Sequence, residues 1–145
     1  MDSSSVLIVE DDKAIRGLVR KVLESHGLHV KEAETADDGV AQLAGVGLVL
    51  LDLTLVGKNG KVFLKALKNL GLDLPVVIMS GADPESRKDL REFRISYWLK
   101  KPFEMEELVA VTGRAMKAAR SITTIRTASS GLDRCIWNLT RLLAQ

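Results

Sequence analysis

Four short apolar runs in this chain each end at side chains that can do chemistry. Val6-Leu7-Ile8-Val9 leads into Glu10-Asp11-Asp12, and Leu48-Val49-Leu50-Leu51 leads into Asp52. Pro75-Val76-Val77-Ile78-Met79 leads into Ser80, and Tyr97-Trp98-Leu99 leads into Lys100-Lys101-Pro102. Carboxylates gathered in one place repel one another unless a cation lies between them. Oxygen donors from two or three acids suit a hard divalent cation such as Mg2+, which keeps several waters and also takes phosphate oxygens. A lysine adds a point charge and a serine adds a hydroxyl donor. Such a set suits a phosphoryl group, whose transfer needs mainly positioning and charge neutralisation. An aspartate can itself be the nucleophile, forming an aspartyl phosphate. Asp52 is the best candidate, because the run before it reads as the most buried and therefore the most central.

These side chains share a site only if the elements beneath them lie side by side. The apolar period switches repeatedly along the chain. Val6–Val9 and Leu48–Leu51 are continuous and rich in branched residues, as strands buried on both faces are. His29–Ala33 alternates weakly and reads as a strand near an edge. Pro75–Met79 and Ser96–Leu99 complete five strands. Between them, Ile15, Leu18, Val19, Val22 and Leu23 recur at helical spacing, with Gly27 placed to stop that helix. Asp37–Ala44 reads as a short helix. Val62, Phe63, Ala66, Leu67 and Leu70 line one helical face, and a turn at Gly81–Pro84 is expected, followed by a weak helix to about Phe93. A long final helix carries Met105, Leu108, Val109, Thr112, Ala115, Met116 and Ala119. Strict strand–helix alternation implies an α/β fold, a doubly wound parallel sheet with helices on both faces. In such sheets ligands bind beyond the carboxyl ends of the strands, where Asp11, Asp52, Ser80 and Lys101 fall.

The chain has 145 residues, enough for one ordinary domain. Its net charge of +2 lends no support to direct nucleic-acid binding. The single cysteine, Cys135, excludes an internal disulfide framework. The start, Met1-Asp2-Ser3-Ser4-Ser5, lacks a signal-peptide pattern, and no apolar run approaches the ~20 residues that span a bilayer. No membrane partner is expected. Residues 1–120 read as the main domain and 121–130 as a Ser/Thr-rich linker. Residues 131–145 read as an extra C-terminal amphipathic helix, opened by Ser130-Gly131-Leu132-Asp133 and carrying Leu132, Ile136, Leu139 and Leu143.

The four motifs in order, Val6–Asp12, Leu50–Leu53 with Gly60 downstream, Val77–Gly81 and Lys101-Pro102-Phe103, resemble the receiver domain of bacterial two-component response regulators, over about residues 5–119. The resemblance implies a flavodoxin-like strand order 2-1-3-4-5. It also implies a phosphorylation-controlled cytoplasmic signalling switch, not an enzyme with a turnover substrate. The phosphoryl donor would be a sensor histidine kinase or a phosphotransfer protein. Asp52 matches the phosphoacceptor. Glu10 and Asp11 match the acids that hold Mg2+ with it, and the backbone carbonyl of Thr54 matches the third protein ligand. Ser80 and Lys101 match the hydroxyl and the lysine that take the phosphoryl oxygens. Trp98 stands where the family's switch aromatic stands, usually as tyrosine or phenylalanine, with Tyr97 as the alternative if the register slips by one. Val56 and Arg94-Ile95-Ser96 depart from the family pattern outside the chemistry. The resemblance further implies a readout surface of fourth helix, fifth strand and fifth helix. That surface, or residues 131–145, could serve a homodimer.

Other readings remain beside it. A phosphohydrolase of the haloacid dehalogenase type also uses a strand-end aspartate, but needs a second aspartate two residues on, where this chain has Thr54. A pseudo-receiver would keep the fold without phosphorylation, with Trp98 as its support. A dinucleotide-binding domain lacks its G-x-G-x-x-G after any strand. Asp12 reads as a helix N-cap, Lys100 as a solvated charge, and His26 and His29 as surface residues.

Overall fold

A computed structural model describes residues 5–54 and 60–127. Five strands form one parallel sheet: β1 (Ser5–Val9), β2 (His29–Ala33), β3 (Val46–Asp52), β4 (Val76–Ser80) and β5 (Tyr97–Lys100). Their order is β2-β1-β3-β4-β5, with β2 at an edge as expected. The α-helices are α1 (Lys13–Ser25), α2 (Ala36–Ala41), α3 (Lys61–Asn69) and α4 (Met105–Thr127). One face of the sheet packs Val9, Val49, Leu51 and Ile78 against Ala36 of α2 and Phe63, Leu64 and Leu67 of α3. The other packs Ile8, Leu50, Val77 and Met79 against Val19 and Leu23 of α1 and Leu108, Val111 and Ala115 of α4. Each of the branched and aromatic side chains among them contributes roughly 1.5–3 kcal/mol relative to exposure. The three central strands, β1, β3 and β4, are therefore the most deeply buried, and the acids stand at the ends of β1 and β3.

Register brings the chemistry together. Val9 pairs with Leu51, Asp52 pairs with Met79, and Ser80 pairs with Lys100. Glu10, Asp52, Ser80 and Lys101 thus leave four adjacent strands at nearly one level, at the carboxyl edge.

Several local expectations change. The weak helix from Pro84 to Phe93 is two 3-10 turns, Pro84–Ser86 and Lys88–Leu90, separated by Arg87 at φ −117°, ψ 59°. The segment satisfies itself locally, through Ser86 Oγ donating to the Asp83 carbonyl and a two-pronged Arg87–Asp89 pair. Its apolar residues Leu90, Phe93 and Ile95 drop into the core without needing a continuous helix. The expected readout face therefore lacks its first helix and consists of this segment, β5 and α4. In α3 the buried face is Phe63, Leu64 and Leu67, whereas Val62 and Leu70 are 39% and 56% exposed. In α1, Leu18 points outward, 50% exposed. Helix α2 starts at Ala36 and ends at Ala41, earlier than expected at both ends. Helix α4 continues through Ser121–Thr127, where a linker was expected. No Gly or Pro lies between Arg114 and Ser130 to stop it, and Ser and Thr reduce helix propensity by only a few tenths of a kcal/mol each, about 0.5. The remaining linker, the 131–145 segment and Cys135 lie outside the described residues, as do Val56 and Gly57.

Gly60 shows how tightly the acceptor strand is held. Its N–H donates to the Leu53 carbonyl at 2.9 Å, and a Cβ there would meet the Asp52 carbonyl oxygen at 2.8 Å and Leu53 Cα at 3.1 Å. Both neighbours are backbone and cannot swing aside. Gly60→Ala is expected to destabilise the fold by about 1–3 kcal/mol, the usual range for overpacking. Urea denaturation checks it, and an unchanged midpoint would contradict the contact.

Candidate functional site

The acids cluster where the register places them. Glu10 and Asp52 are buried and Asp11 half-buried, and one carboxylate oxygen from each lies within 4.8 Å of the others. Asp12 stands apart as the N-cap of α1, accepting from the Ala14 and Ile15 N–H groups at 2.9 and 3.2 Å. This is the capping role expected of it. Thr54 donates both its N–H (3.0 Å) and its hydroxyl (2.9 Å) to Asp52 Oδ1. Lys101 Nζ lies 3.3 Å from Glu10 Oε1 and 3.4 Å from Asp52 Oδ2. Its backbone N–H is anchored on the Ser80 carbonyl at 2.8 Å. Lys101 therefore meets Glu10, 91 residues away in the chain, and Asp52 at one point.

Electrostatics divides the two buried acids. Burial, a hydrogen bond with Asp52 and the Asp52 charge push the Glu10 carboxyl up to about 7, against the pull of the Asp12 N–H and Lys101. Asp52 feels burial too, but the hydrogen bonds from Glu10 and from Thr54, helped by Lys101, hold it below its ordinary value. Of the two acids, Glu10 is therefore the one that holds a proton more tightly, up to about pH 7, while Asp52 favours the ionised form. A divalent cation among these oxygens would displace that proton. Two or three hard carboxylate donors fit Mg2+.

Ser80 Oγ accepts the Ala82 N–H at 3.0 Å, and the Trp98 indole N–H donates to the Ala82 carbonyl at 3.0 Å. Serine and tryptophan are thus joined through a single residue. Trp98 pairs with Ile78 and packs into the core cluster that holds Leu90, Phe93 and Ile95, while Tyr97 packs on the opposite face of the sheet. The register does not slip, and Trp98 is the aromatic on Ser80's side. Lys100 is exposed, as expected, and pairs at the surface with Asp83 at 2.7 Å. His26 and His29 are exposed, as expected. Sequence reasoning missed Arg16, whose guanidinium donates to the Glu10 carbonyl at 2.8 Å. A lone arginine on a helix carries no signal of its own, because the contact depends on how α1 lies against β1.

Comparison with known proteins points to a family. The model of the response regulator receiver domain matches residues 6–112. The phosphate regulon transcriptional regulatory protein PhoB of Klebsiella pneumoniae is 39% identical over 110 residues, covering 72% of this chain and 48% of its own. The KDP operon transcriptional regulatory protein KdpE of Escherichia coli is 37% identical over 110 residues, covering 74% and 48%. The chain spans about half the length of these curated relatives. The receiver domain of NtrX from Brucella abortus superposes with a TM-score of 0.70 at 30% identity, over 78% of this chain and 98% of that one. Receiver domains are signalling modules that bind Mg2+ at an acidic pocket and interact with histidine kinases or phosphotransfer proteins, and this chain carries the acidic cluster. No helix among the described residues is long and apolar enough to cross a membrane. With its strand order, its cluster of acids and these matches taken together, the chain belongs to the response regulator receiver domain family.

Proposed function

We propose that Asp52 accepts a phosphoryl group from a phosphohistidine on a sensor kinase or phosphotransfer protein, and that Ser80, Lys101 and Trp98 translate its arrival into a change of surface. The observation that carries this reading is the convergence of Glu10, Asp11, Asp52 and Lys101 at the carboxyl edge, with Asp52 the acid held ionised. An Asp52 carboxylate oxygen attacks phosphorus as the P–N bond to the donor imidazole breaks, and the imidazole nitrogen leaves with a proton from solvent. Thr54 holds Oδ1 from two directions and so orients the carboxylate. Lys101 neutralises charge on the phosphoryl oxygens. Glu10, Asp11, Asp52 and the Thr54 carbonyl would hold Mg2+, which supplies charge neutralisation at the transferring group. Thr54 offers no carboxyl group to protonate a leaving group, which disfavours a haloacid dehalogenase chemistry.

In the unphosphorylated chain Ser80 Oγ accepts the Ala82 N–H, which points the oxygen at the segment after β4. A rotation that carries Oγ to a phosphoryl oxygen, so that its O–H donates there, releases the Ala82 N–H, and with it the residue on which Trp98 is hooked. The surface that responds is the segment after β4, β5 and the start of α4. Trp98→Phe keeps the ring in the core but leaves the Ala82 carbonyl without its donor. It is expected to lower stability to urea by about 0.5–1.5 kcal/mol, the usual net worth of one such bond. No change would mean that the indole hook is not formed.

The test of the acceptor is direct. The full chain incubated with acetyl phosphate and Mg2+ should gain a single phosphoryl adduct by intact mass, removed by hydroxylamine as acyl phosphates are. Absence of the adduct with and without Mg2+ would reject the reading in favour of a binding module that keeps the fold alone.

A further inference from the structure

The ladder between β1 and β2 runs out at Glu10. Val9 pairs with Ala33, and the Glu10 N–H still donates to the Ala33 carbonyl at 3.0 Å. The evenly spaced parallel pattern would next offer the Glu10 carbonyl the N–H of Thr35. At Thr35, however, the chain becomes the N-cap of α2. A carbonyl beside buried acids needs another donor. Arg16 of α1 supplies it: Nη1 donates to the Glu10 carbonyl at 2.8 Å and Nε donates to Glu32 Oε1 at 3.1 Å. The Arg16 side chain is only 13% exposed. Arg20 pairs with the other Glu32 oxygen, bracing Glu32 from the solvent side.

We infer that Arg16 is a positioning residue for the cation site: by joining the Glu10 carbonyl to Glu32 it fixes the Glu10–Asp11 peptide so that both carboxylates face Asp52. The inference rests on reading these acids as Mg2+ ligands. Glu32 has its own part in it, since its charge offsets a guanidinium that would otherwise repel a divalent cation. Residues behind a metal's ligands typically change affinity by roughly 10–100-fold when removed.

The experiment uses the full chain, with Mg2+ binding by calorimetry at pH 8 and initial phosphorylation rates from acetyl phosphate over a range of Mg2+. Arg16→Met should weaken Mg2+ binding about 10-fold while the rate at saturating Mg2+ stays within about 2-fold of wild type. Arg20→Ala, which breaks a Glu32 pair without touching Glu10, should keep wild-type Mg2+ affinity. Wild-type affinity in Arg16→Met, or a rate that falls equally at limiting and saturating Mg2+, overturns the inference. If Arg16→Met does not fold, Arg16→Lys is read instead: one ammonium cannot bridge both partners, so at least about 3-fold weaker binding supports the inference and wild-type binding overturns it. Failure of both variants to fold makes Arg16 a folding residue and also overturns it. A wild-type chain that binds no Mg2+ rejects the reading of the acids themselves, a result distinct from equal binding by wild type and variant.

Discussion

Asp52→Asn should form no phosphoryl adduct with acetyl phosphate and Mg2+, under conditions where the wild-type chain is modified. The substitution is nearly isosteric, and the asparagine side-chain oxygen can still accept from the Thr54 N–H and hydroxyl that now hold Asp52 Oδ1. What it removes is the anionic nucleophile. Lys101 keeps one acidic neighbour, Glu10, at 3.3 Å. The Asp52 hydrogen bond and charge both hold the Glu10 carboxyl up, so their loss lets Glu10 ionise more easily. Near pH 7 the variant loses the stability that the ionised Asp52 contributes and relieves the Glu10 carboxyl, two opposed effects, so a urea midpoint measured beside the adduct separates loss of the nucleophile from loss of the fold. An adduct on Asp52→Asn at the wild-type rate would place the acceptor elsewhere and sink the assignment.

The second large effect is on pH. The Glu10 carboxyl rises from an ordinary 4.5 to about 7 on folding. A folded state that holds a proton more tightly than the unfolded one gains stability from it below the unfolded value. That gain declines above 4.5 and is lost as pH rises through about 7. Asp52 works in the opposite sense, since its lowered value gives stability that is lost in acid. The metal-free chain should therefore be less stable at pH 8 than at pH 6, and Glu10→Gln should remove that decline by taking away the titrating group. Mg2+ requires the ionised carboxylate, so its apparent affinity should climb with pH up to about 7 and then level, with proton release below that point. Glu10→Gln should flatten this climb and weaken binding by about 10-fold or more, as loss of a charged ligand does. Urea midpoints at the two pH values, with and without Mg2+, check the whole scheme. A wild-type chain equally stable at pH 6 and pH 8 without Mg2+ would rule out the buried proton on Glu10.

Much of this was legible residue by residue. The runs before Glu10, Asp52 and Ser80 are continuous and apolar because those strands are covered on both faces, and that pattern does not depend on what else the chain does. Patterning was weaker where one face only is covered. In α3 the periodicity admitted Val62 and Leu70 as readily as Leu64, and the packing of Phe63 against the sheet chose Leu64. The segment after Pro84 has the charge and the scattered apolar residues of a weak helix. Its local side-chain bonds and the pull of Leu90 and Phe93 into the core left it as two 3-10 turns.

By itself the sequence determined the alternation of elements, the parallel sheet and the identity of the acids, hydroxyl and lysine at its edge. Those follow from short-range apolar period and from residue type, which act within a few residues. Only the tertiary structure decided how these groups act on one another. The meeting of Lys101 with Glu10 joins residues 91 apart in the chain. The proton held on Glu10, the hook of Trp98 on Ala82 and the tie of Arg16 to the Glu10 carbonyl likewise need the register and burial of separate elements. A carboxylate's charge state and a carbonyl's missing partner are properties of the packed surroundings, and no local pattern encodes them.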